Sequence, residues 1–189
     1  PTGTPVPPAA TVAGSDMGSH SYTSIATTAA ATTAFFTKLS PTVTVETPNL
    51  SPTIAFLPSS IIGTQAVDVL VKVYEFNNIA TNGSIALYVQ KDPNYMLSFD
   101  PTAAAIGGQA VENSIWSFDD TSNPGYYILT TTAVIPASGV KALGFTTTYN
   151  PNYQVGNTVI NAIITDNSGG ESSANNVDNN DDDRLDYSF

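Results

Sequence analysis

The alternation between Val67 and Val73 leaves this chain little choice of secondary structure. Val67, Val69, Val71 and Val73 fall on one face of an extended backbone, with Asp68, Leu70, Lys72 and Tyr74 on the other. β-Branched residues at period two describe a strand with one buried face. Ile85, Leu87 and Val89 repeat the pattern. Between the two runs Asn82-Gly83 tolerates the positive φ of a chain reversal, so Val67–Lys91 is predicted to be a β-hairpin with a polar loop.

Similar runs lie on either side. Thr53–Leu57 is bracketed by Pro52 and Pro58, which suits an edge or opening strand. Tyr95–Phe99 and Ala110–Phe118 are separated by a segment whose Pro and paired Gly mark a turn. Tyr126–Ile135 reads as a strand closed by Pro-Ala-Ser-Gly, Lys141–Tyr149 places Leu143, Phe145 and Tyr149 on one face, and Asn157–Thr165 is the last strong run. Leu185, Tyr187 and Phe189 alternate as a closing strand. Short strands at even spacing predict an all-β fold, an immunoglobulin-like antiparallel β-sandwich of about 7–9 strands.

Length sets the domain count. At 189 residues the chain accommodates one domain with extensions. Residues 1–47 form a Pro/Ala/Thr-rich arm, and residues 48–189 form the sandwich with an acidic C-terminal segment. The arm reads either as a linker or as a donor of one or two strands, anchored by Ile25, Phe35, Phe36, Leu39, Val43 and Val45 against this domain or a neighbouring copy. Alanine content favours a helix over residues 27–36, but the threonines there oppose it.

Charge excludes some partners. The net charge is −11, and Lys38, Lys72, Lys91, Lys141 and Arg184 stand singly, so no cluster is available to displace counterions from nucleic acid or to hold an anionic bilayer. No apolar run reaches the ~20 residues of a transmembrane helix. With no cysteine there is no disulfide, thiolate metal site or cysteine nucleophile. The chain starts at Pro1 without a signal segment, as expected of a processed mature chain or a piece of a longer one, and both point outward from the cytoplasm.

Catalytic constellations are sparse. His20, with Ser19 and Asp16, contains the members of a hydrolase triad, but these sit in low-complexity sequence without a rigid scaffold. Asp119, Asp120 and Glu112 are carboxylates of the kind that flank a glycosidic bond, a type that more often occupies solvated turns. The segment after Ile164 is richer. Asp178, Asn180 and Asp182 place oxygen ligands at alternating positions, as a hard cation such as Ca²⁺ requires. The EF-hand pattern fails there, because Asp183 stands where its glycine belongs and no glutamate closes the loop. A solvated acidic loop and a Ca²⁺ site of another type both remain open. Apart from Ca²⁺ no cofactor is expected, and no enzymatic activity. Trp116 is either a core residue or, with the tyrosines, part of a sugar-stacking platform. Asn49-Leu50-Ser51 and Asn82-Gly83-Ser84 match the N-glycosylation acceptor.

Several motifs carry a family resemblance. Pro48–Ile54, Val73–Gly83, Lys91-Asp92-Pro93, Asn113–Phe118, Leu143-Gly144-Phe145 and Asp166–Asn179 together resemble a module of long repetitive secreted surface proteins of Bacteroidota. In that family the module tends to be the last one, and Leu185-Asp186-Tyr187-Ser188-Phe189 is similar to its usual ending. The resemblance spans residues 48–189. It implies a secreted cell-surface β-sandwich exported by the type 9 route and serving adhesion, gliding or an extracellular filament. Three roles follow: a structural or adhesive subunit assembling with other copies or neighbouring modules through β-strand contacts, a sorting module docking on an outer-membrane partner through its C-terminal strand, or a module binding a surface glycan. Assembly is expected to involve Ile25, Phe35, Phe36, Leu39, Leu185, Tyr187 and Phe189.

Overall fold

The computed structural model describes residues 11–12, 20–21, 46–59, 66–149, 157–172 and 180–188. The chain divides into two compact units, Pro1–Val45 and Glu46–Phe189. In the first, β1 (Thr11–Val12) pairs antiparallel with β2 (His20–Ser21). Ile25, Phe35, Phe36, Leu39, the helix weighed over residues 27–36, Asp178 and Phe189 lie outside the described residues.

The second unit is an antiparallel β-sandwich, as the strand spacing predicts. Its main strands are β3 (Leu50–Leu57), β4 (Ala66–Glu75), β5 (Ile85–Gln90), β6 (Tyr95–Ser98), β9 (Ser117–Asp119), β10 (Tyr126–Thr131), β11 (Val140–Tyr149), β12 (Asn157–Ile164) and β13 (Asp182–Ser188). One sheet has the order β3-β4-β11-β6 and the other β13-β12-β5-β10-β9. A small hairpin, β7 (Ala105–Ile106) with β8 (Gln109–Ala110), lies outside both, and no α-helix occurs among the described residues.

The predicted hairpin over Val67–Lys91 does not form. β4 and β5 belong to different sheets, each between two other strands. Period-two alternation assigns a strand one buried face but leaves its neighbour undetermined. Here the two apolar rows face each other across the core: Val67, Val69, Val71 and Val73 on one side, and Ile85, Leu87 and Val89 on the other, all buried in one cluster. Burying each such side chain contributes roughly 1.5–3 kcal/mol. The intervening segment crosses from sheet to sheet, a step that a tight Asn-Gly hairpin turn does not span. Asn82 and Ser84 instead bracket a second turn, with Asn82 N–H donating to the Gly169 carbonyl and Gly169 N–H to the Ser84 carbonyl, both at 2.8 Å.

Two further expectations need correction. Ala110–Phe118 is not one strand: Asn113–Ile115 is a 3₁₀ turn, Trp116 follows it, and β9 begins only at Ser117. The cause is Asn113, fully buried, whose amide donates to the carbonyls of Asp100 and Gly144 while its Oδ1 accepts the Gly144 N–H, each at 2.9 Å. Tyr126–Ile135 likewise stops being a strand after Thr131, whose hydroxyl donates to the Ile115 carbonyl at 2.7 Å and accepts the Ala133 N–H at 3.0 Å.

Two edge strands, β3 and β6, are met by side chains from beyond their own sheet. Phe76 N–H donates to the Asn49 carbonyl, so odd-numbered residues of β3 face β4 and the even-numbered ones face outward. Of those outward donors, Leu50 N–H reaches the Glu171 carboxylate at 3.1 Å and Ile54 N–H the Asp183 carboxylate at 2.8 Å, while Pro52 between them has no N–H. On the far edge, the Leu97 N–H of β6 meets the Tyr127 hydroxyl at 3.4 Å.

The β7–β8 hairpin covers the outside of the four-stranded sheet. It turns at Gly107 and Gly108, with φ of 55° and 76°, and packs Ile106 against Leu70 and Val111. Ile106 sits directly on Gly144, where an added Cβ would lie 2.8 Å from the Ile106 Cβ. Gly144→Ala is expected to lower unfolding free energy by about 1–3 kcal/mol through overpacking, read by chemical denaturation. An unchanged denaturation midpoint would show that the hairpin is not seated there.

Candidate functional site

Buried polar side chains concentrate where the chain joins the sandwich, at Thr47–Leu50. Glu75 is in phase with Val67, Val69, Val71 and Val73, so alternation carries its carboxylate inward at the end of the apolar row; it is 2% exposed. The cost of burying it is offset by backbone donors. Oε1 accepts the N–H of Asn77 at 2.7 Å and of Asn49 at 3.4 Å; Oε2 accepts those of Ser138 at 2.7 Å and Ile79 at 3.2 Å. One side chain thereby fastens three segments.

Glu171 closes the same segment from the connection between β12 and β13. It is 5% exposed and accepts the Leu50 N–H. Burial pushes its carboxyl up to about 7; the Leu50 N–H opposes that shift, and the nearby Asp181 and Asp166 reinforce it. Around it, Ser172 N–H donates to Thr47 Oγ1 at 3.2 Å, Asn77 Nδ2 to the Thr47 carbonyl at 2.9 Å and Asn180 Nδ2 to Asn49 Oδ1 at 2.9 Å.

The residues singled out by sequence are dispersed. Asn180 binds Asn49, and Asp182 opens β13 exposed to solvent, opposite Ile163. Leu185 and Tyr187 point inward from β13 and pack in this domain's own core. The Tyr187 ring meets Tyr95 at 4.8 Å and Phe56 at 5.6 Å, and burial, aided by Asp92, holds its phenol well above the ordinary range. Trp116 is 3% exposed and belongs to the core, so it cannot stack on a sugar. Asp119 caps its own turn, accepting the N–H groups of Thr121 and Ser122, and these bonds, Ser122 foremost, hold its carboxyl well below the usual range. Glu112 pairs with Lys141 at 2.6 Å. Asn49 is buried, which closes its glycosylation motif, whereas Asn82 is exposed.

Glu75, Glu171 and Asn113 escaped the sequence reading. Only Glu75 carried a local signal, a carboxylate continuing an apolar row in register. At the surface, Tyr74 and Phe76 stack with ring centroids 6.0 Å apart, and Val140 lies opposite Tyr74.

No protein-family model matches the chain, nor does any curated protein. Among solved structures it is similar to the full-length major pilin SpaD from Corynebacterium diphtheriae, with 10% identity and a TM-score of 0.44 over 73% of this chain and 34% of that one. The chain thus spans about a third of that pilin's length.

The raised Glu171 pKa gives a pH dependence. The carboxyl titrates near 4.5 when unfolded and about 7 when folded, so in that window the fold keeps a proton that the unfolded chain releases. Stability is therefore lost as pH rises from about 4.5 to about 7. Glu171→Gln keeps an acceptor for Leu50 N–H but does not titrate. Its Tm advantage over the parent chain is expected to grow across that window; a pH-independent difference in thermal unfolding would refute the assignment.

Proposed function

We infer that this chain is a non-enzymatic structural or adhesive module of a bacterial cell-surface protein or extracellular filament. The supporting observation is where the buried polar groups go. Glu75, Glu171 and Asn113 bind backbone groups of the framework, and Thr81 Oγ1 accepts the Ile135 N–H at 2.8 Å. Side chains that in an enzyme would converge on a cleft here fasten loops to sheets. The family resemblance in residues 48–189 favours the same reading, with secretion by the type 9 route.

In this reading subunits meet by strand addition, the segment before Pro48 supplying the strand. The receiving edge is β13. Ile164 N–H donates to the Asp181 carbonyl, so odd-numbered residues of β13 face β12 and the backbone of Asp182, Arg184 and Asp186 faces away from it. The β3 edge is less suited, its donors at Leu50 and Ile54 being capped and Pro52 having none. Ca²⁺ bound through Asp178, Asn180 and Asp182 belongs to this proposal as a stabiliser of the β12–β13 connection.

A glycan-binding role is the second reading. It is favoured by the stacked, partly exposed Tyr74 and Phe76 rather than by Trp116. Light scattering and negative-stain imaging of the full chain and of a chain starting at Pro48 separate the two. Fibres or large assemblies from the full chain alone are expected; monomers from both would refute assembly through the arm.

A further inference from the structure

β3 and β13 belong to opposite sheets but run side by side in the same direction. Asn49 meets Asn180, Ile54 meets Asp183, and the ring of Phe56 meets that of Tyr187. Ascending residue numbers match ascending residue numbers, so the chain joins the sandwich through β3 at one end and β13 leaves it at the other.

Direction decides how such strands respond to tension. A pull on Glu46 draws β3 along its own axis, and a pull beyond Ser188 draws β13 along its axis the opposite way. β3 pairs with β4 over eight residues, Leu50 to Leu57, about 26 Å at a strand's rise per residue. β13 pairs with β12 from Asp182 to Ser188. Inter-strand hydrogen bonds lie across the strands, so an axial pull loads them all together, whereas a sideways pull at one end breaks them one after another.

Other features reinforce the axial direction. Pro52 lies at an outward position, so β3 loses no bond to β4 by carrying it. Asp183 and Glu171 tie β3 to the opposite sheet through Ile54 and Leu50. The carboxylate of Glu75 holds Asn49 at the point where tension arrives.

We propose that β3 and β13 form a load-bearing pair that makes this domain resist tension applied along the chain far better than tension applied across its strands. This deepens the structural reading above by naming what the module withstands, but its test does not depend on assembly.

The absence of cysteine allows unique handles on the full chain. One variant carries Glu46→Cys and a cysteine appended after Phe189; a second carries Glu46→Cys and Ser138→Cys. Glu46 and Ser138 are exposed, and Ser138 lies beside Glu75 at the Leu50 end of β3, so the second pair peels β3 from β4. In single-molecule force spectroscopy at one loading rate, the first pair is expected to rupture at about twice the force of the second or more, forced unfolding being governed by the unfolding barrier. Equal or lower force along the chain would overturn the proposal. Asp183→Asn should lower the axial force more than the peeling force; equal losses in both geometries would deny the cross-sheet tie its part. A chain that stays monomeric yet shows the directional difference keeps this inference while the assembly reading fails.

Discussion

The sandwich depends on two rows of aliphatic side chains meeting face to face. β4 supplies valines from an inner position of one sheet, and β5 supplies Ile85, Leu87 and Val89 from the centre of the other. Because consecutive strands are placed opposite rather than beside each other, the connection between them must leave one sheet and join the next. That crossing exposes backbone donors at the end of the core, and Glu75 stands where they gather. The hydrophobic constraint thus creates the polar problem that the buried carboxylate answers.

The carboxylates differ in what they cost. Glu75 accepts four backbone N–H groups and so replaces much of the hydration it loses. Glu171 accepts one from Leu50, with Asp181 and Asp166 nearby, and its affinity for a proton rises accordingly. Both hold the same short segment, Glu75 from the end of β4 and Glu171 from the connection between β12 and β13. Thr47–Leu50 is consequently one place where the two layers of the domain are tied together by polar bonds as well as by packing.

Strands were legible because β-branched and aromatic residues alternate along them, a signal local to a few residues. The pairing of those strands was not, since Val67–Val73 would show the same pattern beside β5 or across from it. Trp116 could be placed inside, but the 3₁₀ turn before it follows from bonds between Asn113 and Gly144, residues brought together only by the fold. Glu75 was visible in principle as a charged residue in phase with four valines. Glu171 was not, because its surroundings come from Leu50 and Asp181, one of them far away in the sequence. Of the residues weighed as calcium ligands, Asn180 bonds to Asn49 and Asp182 opens β13 exposed to solvent, while Asp178 lies outside the described residues.

Only 11% of the residues are charged, so the chain depends little on a dense charged surface to keep molecules apart. Its strands are rich in valine, threonine and tyrosine, the composition from which cross-β aggregates grow when an edge offers consecutive donors to a second chain. Over most of β3 that offer is withdrawn, with the Leu50 donor capped by Glu171, the next position deleted by Pro52 and the Ile54 donor capped by Asp183. The consequence is colloidal: a sequence of this kind can be crowded with little tendency for β3 to seed a fibril.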